Sequence, residues 1–221
     1  MADPTPDNCP VCRIPAPRFF AVVETKQYWR CEGCEATFLD PHLLPSEEEE
    51  FSHYLQHEND AGDSHYRAFL SRVSVPLLMR LKPASRGLDF GCGPGPALAA
   101  MLEEAGHRVA LYDPFFYPDR AGLQPGFDFI ACTETAEHFH RPAEEFDLLD
   151  GLLQPGGWLA LMTCIQTEDA RFASWHYRSD PTHVVFYREN TLAVISAQRG
   201  WDIERVSKDV FMMRKKGKHP R

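Results

Sequence analysis

Hydrophobic and polar positions divide the chain into three stretches of different rhythm. In residues 1–45 the apolar runs are short and strand-like, Phe19 to Val23 and Gln27 to Arg30. Residues 46–83 read as helical. Ser46 stands as an N-cap before a run of glutamates whose charge suits the helix dipole, and a polar break covers Asn59 to Ser64. Tyr66, Phe69, Leu70, Val73, Leu77, Leu78 and Leu81 then recur at helical spacing, with Pro76 placed to kink or divide the helix. From residue 84 to 214 strands and helices alternate. Strands are expected at Gly87–Phe90, at 107–113, at Phe127–Cys132 and after the turn Gln154-Pro155-Gly156-Gly157. Helices are expected from Ala97 to Ala105, closed by Gly106, from Arg141 to Leu153, and from Glu189 to Arg199, closed by Gly200. Trp201–Val206 and Val210–Arg214 read as a terminal antiparallel pair, and 114–126 holds no convincing strand. Such alternation predicts an α/β fold around a largely parallel sheet. The expected units are 1–45, a helical linker or lid over 46–83, a core over 84–214 and a basic tail over 215–221.

The first stretch carries its own chemistry. Cys9-Pro10-Val11-Cys12 and Cys31-Glu32-Gly33-Cys34 are separated by eighteen residues, a spacing that marks a zinc site. Four thiolates complete a tetrahedron with no open position, so the expected metal is structural Zn2+ held by Cys9, Cys12, Cys31 and Cys34. The segment resembles a zinc ribbon. Two disulfides are the competing reading and require an oxidising compartment, which nothing in the sequence suggests.

Between the first core strand and its helix stands Asp89-Phe90-Gly91-Cys92-Gly93-Pro94-Gly95. Glycines there let backbone approach a ligand closely. The dinucleotide fingerprint requires glycine where Pro96 stands, so a nicotinamide-nucleotide reading fails. Asp113 ends the next strand eighteen residues beyond Gly95, near the spacing at which a carboxylate reaches ribose hydroxyls. The fourth strand runs into Thr133-Glu134-Thr135-Ala136-Glu137-His138. These motifs, with the Gln-Pro-Gly-Gly turn, resemble the class I S-adenosylmethionine-dependent methyltransferases over residues 86–213. The resemblance implies a Rossmann-like sheet with flanking helices and S-adenosylmethionine as methyl donor. It also implies cofactor binding by Asp89, Gly91, Gly93, Gly95, Asp113, Thr133 and Glu134, and helices before the glycine loop that close over substrate.

Methyl transfer from a sulfonium needs alignment, exclusion of water and, for a protonated acceptor, a base. His138 and His183 are the candidate catalytic residues because imidazole titrates near neutrality. Glu137, Tyr177, Asp180 and Tyr187 are expected to line the substrate. Phe115, Phe116 and Tyr117 could stack on adenine, though aromatics after a strand commonly fill core. His53, His57 and His65 receive no role.

The net charge is −9 over 221 residues, although the segment from Arg214 to Arg221 holds five basic side chains and no acidic one. Residues 1–45 contain six acidic and four basic residues. A zinc ribbon before a class I core is similar to certain ribosomal-RNA guanine methyltransferases, but an acidic body and ribbon argue against a nucleic-acid footprint. The favoured acceptor is a small molecule or metabolite. A ribosomal or transfer RNA base is the alternative, and a non-catalytic cofactor-binding interaction protein the third reading. No apolar run approaches the ~20 residues of a membrane helix. No secretory signal is visible, so the cytoplasm is the expected location.

Overall fold

The computed structural model describes residues 5–56 and 60–217. Asn59, at the start of the expected polar break, His57 and the last part of the basic tail (218–221) lie outside them. Two sheets share one hydrophobic core. The larger has six strands in the order β5-β4-β6-β7-β10-β9, formed by β4 (Arg86–Phe90), β5 (Arg108–Tyr112), β6 (Phe127–Thr133), β7 (Leu153–Met162), β9 (Trp201–Ser207) and β10 (Val210–Lys215). β5, β4, β6 and β7 run parallel, and β10 pairs antiparallel with β7 and β9. β6 is almost wholly apolar and buried because a central parallel strand is covered on both faces. Those covers include α2 (Ser64–Leu78) and α3 (Ala97–Glu104) on one face, and α4 (Pro142–Leu152) and α5 (Glu189–Arg199) on the other. Residues 114–126 contain one short 3-10 turn, Arg120–Gly122, and no strand, so β5 forms the sheet edge.

The expected helices before the core are present. α1 (Glu47–Tyr54) begins in a complete capping box, with Ser46 Oγ accepting from Glu49 N and Ser46 N donating to Glu49 Oε2. α2 runs through Pro76 and ends two residues later. Proline has no amide to donate to the carbonyl four residues back, so Pro76 weakens the helix close to where it ends.

The smaller sheet, in the order β1-β2-β3-β8, holds β1 (Arg18–Val23), β2 (Lys26–Arg30), β3 (Thr37–Leu39) and β8 (Val185–Phe186). β8 comes from the loop after β7, so the core sequence completes the ribbon's sheet, pairing Thr37 with Phe186 and Phe38 with Val185. Buried Arg30 donates to Thr37 Oγ1 at 2.7 Å and to Asp169 at 2.7 Å, and Thr37 donates to Gln166 at 2.7 Å. The first cysteine turn also docks on the core. The Ala143 amide at the start of α4 donates to Pro10 O at 3.0 Å, and Gln198 of α5 donates to Cys12 O at 3.0 Å.

Candidate active site

A cavity of about 820 Å³ opens at the carboxyl ends of β4, β5 and β6, where ligands bind in open α/β sheets. One end is built by the glycine loop. Gly91 has φ +77°, and a Cβ there would lie 2.1 Å from the Thr135 methyl, so no other residue fits without displacing the loop after β6. Asp113 ties this loop down: Oδ2 accepts from Gly93 N at 3.0 Å, and Oδ1 accepts from Phe115 N at 2.9 Å and Phe116 N at 3.1 Å. The carboxylate therefore organises both turns that border the cavity.

The other end follows β6. Glu134 has φ +47°, a left-handed backbone that costs a non-glycine residue about 1–3 kcal/mol and clusters at functional sites. Its carboxyl is pushed up to about 9, first by burial and then by the neighbouring Glu137 charge. Glu137 is fully buried. Its Oε2 accepts from Thr163 Oγ1 at 2.9 Å, while its equally buried Oε1 makes no hydrogen bond. Burial also raises the Glu137 carboxyl, and the His183 imidazole draws it back down. His138 Nδ1 lies 3.1 Å from Thr182 O, and His183 Nδ1 lies 2.6 Å from Tyr177 O. A carbonyl only accepts, so each imidazole carries a proton on Nδ1. Burial, and then His138, push the His183 pKa down, which favours its neutral form with a lone pair on Nε2. Asp180 is pulled up by burial, but hydrogen bonds from Thr182 and the nearby His183 and His53 hold its carboxyl well below the usual range.

α1 roofs the cavity. Phe51 stacks on Phe115 with ring centroids 5.9 Å apart, and Tyr54 meets the edge of His138 at 5.4 Å. His53 Nε2 lies 3.2 Å from Asp180, and His140 Nε2 lies 3.1 Å from Glu50. These pairs clip the helix to the loops below it. Sequence reasoning gave His53 no role, because its partner lies 127 residues away. The glutamate run ahead of it was the available signal that this helix faces a site.

Of the residues expected at the site, Gly91, Gly93, Asp113, Thr133, Glu134, Glu137, His138, Tyr177, Asp180 and His183 line this cavity. Asp89, Gly95 and Tyr187 are not among its lining residues. Asp89 is buried, and burial pushes its carboxyl up to about 7 against the opposing pull of the Ala99 amide of α3. Tyr187 is a correction to the expected substrate wall. It is 0% exposed, its hydroxyl donates to Ala136 O at 2.8 Å, and its ring packs on Phe146. Phe115 and Phe116 line the cavity, whereas Tyr117 is not in its lining.

The four ribbon cysteines are buried, and their sulfurs all lie within 4.8 Å of one another. Cys9 and Cys34 sulfurs are 3.7 Å apart, and those of Cys12 and Cys31 are 3.5 Å apart. These separations exceed a disulfide bond of ~2.05 Å and approximate the ~3.8 Å edge of a tetrahedron with Zn–S bonds of ~2.3 Å. Sharing a proton with Cys34 lowers Cys9 to about 6, while burial raises Cys12 to about 12. Four crowded thiolates need a cation to ionise together, so the donor set fits a small zinc site.

A family model described as a methyltransferase domain matches residues 53–206, more than half of the chain. The chain belongs to the class I S-adenosylmethionine-dependent methyltransferases. Solved structures share the fold at low sequence identity. The methyltransferase is similar to Burkholderia thailandensis 1,6-didemethyltoxoflavin-N1-methyltransferase, solved with 1,6-didemethyltoxoflavin and S-adenosylhomocysteine. That match has a TM-score of 0.54 and 17% identity, and covers 90% of this chain and 99% of that one. An O-methyltransferase family protein from the same organism matches with a TM-score of 0.52 and 17% identity over 79% of this chain and 64% of that one. The PH0226 protein of Pyrococcus horikoshii OT3 matches with a TM-score of 0.52 and 14% identity over 76% and 99%. No curated protein matches this methyltransferase in sequence. Among its described residues, no helix is long and apolar enough to cross a membrane.

Proposed function

We propose that this methyltransferase acts on a small-molecule acceptor bound between α1 and the loops after β6 and β7. The observation that carries the reading is the cavity itself. It joins the glycine loop to the Glu137–His138–His183 cluster under a helical roof, and its rim adds Glu47, Glu50 and Asp180. A roofed, acidic space of about 820 Å³ is the size of a ligand pocket and opposes a polyphosphate backbone. S-adenosylmethionine supplies an electrophilic sulfonium methyl. Gly91 and Gly93 leave its backbone cradle open, Asp113 holds the cradle and offers its remaining lone pair to ribose, and Thr133 and Glu134 face the same space. His138 and His183 assist loss of the acceptor's proton, each with a lone pair on Nε2, while Glu137, Tyr177 and Asp180 fix their positions. Structural zinc at Cys9, Cys12, Cys31 and Cys34 holds the ribbon against the loop that carries His183.

The test is transfer of isotopically labelled methyl from S-adenosylmethionine in a cell extract separated into small-molecule and RNA fractions. Label is expected in the small-molecule fraction. Label confined to RNA would replace this reading with the nucleic-acid one. Absence of transfer to any fraction, despite S-adenosylhomocysteine binding, would favour a non-catalytic cofactor-binding protein.

A further inference from the structure

Glu137, His138 and His183 are more than neighbours of an acceptor. Their donor atoms all lie within 4.8 Å of one another, and His138 Nε2 is 4.0 Å from Glu137 Oε1. That oxygen is fully buried and makes no hydrogen bond, a costly state for a carboxylate unless something else is meant to face it. We infer that Glu137 Oε1 and the Nε2 atoms of His138 and His183 bind a divalent transition-series cation that holds an oxygen-bearing methyl acceptor.

The surroundings of the three side chains fit this role. Metal-binding histidines nearly always donate their other ring N–H to a carbonyl or carboxylate, which fixes the tautomer and turns the lone pair toward the metal. Both do so here, His138 to Thr182 O and His183 to Tyr177 O. Ligating carboxylates are likewise steadied by a donor, and Thr163 Oγ1 occupies Glu137 Oε2 at 2.9 Å, leaving Oε1 as the ligand. Two imidazoles and one carboxylate suit Mn2+, Fe2+ or Zn2+ better than Mg2+ or Ca2+. Metal–donor bonds of ~2.1 Å put the donors about 3–3.5 Å apart, a contraction of roughly an ångström reached by small side-chain rotations. Asp180 Oδ2 lies 3.9 Å from His183 Nε2 but is engaged by His53, and its Oδ1 accepts from Thr182, so three protein ligands leave open positions toward the cavity. An acceptor hydroxyl bound there would lose its proton near neutral pH, as metal-bound water does, passing it to solvent water; the cation then replaces the two imidazoles, whose Nε2 lone pairs it holds, as the group that promotes proton loss. The expected acceptor is therefore one with a hydroxyl, favoured further if a second oxygen lies beside it to chelate. This assignment rests on the proposed acceptor side of the cavity.

The experiment uses the full chain with its ribbon metal in place, and Mn2+ as probe because Mn2+ prefers N/O over thiolate donors. Electron paramagnetic resonance should show about one bound Mn2+ per chain. His138→Ala and His183→Ala should each weaken it more than ~100-fold, since even the loss of outer partners costs 10–100-fold. Glu137→Gln should do the same. S-adenosylhomocysteine affinity, measured by calorimetry on the same samples, should stay within a few-fold and shows that the variants are folded. Failure of the wild-type protein to bind Mn2+ would overturn the inference, as would Mn2+ binding that none of the three variants weakens. Neither result would touch the methyl-transfer reading, which labelled transfer tests separately.

Discussion

Glu134 shows how a single residue can be unfavourable to the fold and still suit the site. Its left-handed φ of +47° and its burial beside Glu137 both oppose folding, and its carboxyl stays protonated up to about 9. In the unfolded chain the same group ionises near ~4.3. Between those values the native state holds a proton that the unfolded state has lost, so stability falls as pH rises through this window. Glutamine keeps the shape and never ionises. Glu134→Gln should therefore be more stable than the wild-type protein, by a margin that is small near pH 5 and widens toward pH 9. Thermal melts at pH 5, 7 and 8.5 measure that margin. A gap that stays constant, or narrows with pH, would show that Glu134 is charged in the native state. The same variant should bind S-adenosylmethionine more weakly, since stabilising a functional site commonly costs activity.

At the scale of elements, α1 is the part of the site that owes least to the sheet. It has eight residues, too few to be a stable helix alone. Its position depends on the capping box, the stack of Phe51 on Phe115 and the two histidine–carboxylate pairs. Removing the cap in Ser46→Ala should cost ~0.5–2 kcal/mol locally. The expected signature is a raised acceptor KM with little change in S-adenosylhomocysteine affinity, because the glycine loop is tied to Asp113 at the end of β5 rather than to α1 directly. An equal loss of both would mean that α1 shapes the cofactor end as well. The same contrast explains what the sequence revealed. β4, β6, β7 and the glycine loop follow from apolar runs with punctuation at their ends, and the start of α1 from Ser46 and the glutamates that follow it. The missing strand over 114–126 was equally visible, since Pro114, Pro118 and Pro125 with Gly122 and Gly126 break the stretch. β3 and β8 were not, because three and two residues carry no period. β3 is a strand because it lies between β2 and β8, and β8 because it pairs with β3 across nearly 150 residues. Tyr187 was misplaced for a related reason. Its loop borders the cavity through Tyr177, Asp180 and His183, but which face of a loop residue meets the core depends on a carbonyl, that of Ala136, fifty-one residues distant.

For the whole molecule, the ribbon and the core stand or fall together. Tyr28 packs edge-on against Phe172 at 4.9 Å, and buried Phe38 belongs to the same core as Phe146 and Leu149. β3 pairs with β8, which begins two residues after His183. A metal in the cysteine cluster would therefore stabilise more than forty N-terminal residues. It would hold the edge on which β8 lies, and with it the loop that aims His183 into the cavity. Binding of structural zinc is worth roughly 10–16 kcal/mol in small peptides at pH 7, and only part of that need be coupled to the core. A net loss of ~3–5 kcal/mol would lower Tm by on the order of 10 °C in a chain of this size. Cys34→Ser, or stripping zinc with a strong chelator, should accordingly shift one cooperative melting transition down by about that amount. Below the new transition, methyl transfer should fall further than S-adenosylhomocysteine binding, since the glycine loop follows β4 in the six-stranded sheet, whereas the loop carrying His183 leads directly into β8 of the ribbon sheet. Two separate transitions, the lower one removed with the metal and the upper one unmoved, would instead make the ribbon an autonomous module. The shared core, the hydrogen bonds from Ala143 and Gln198 to the first cysteine turn, and the β3–β8 pair all favour the single transition.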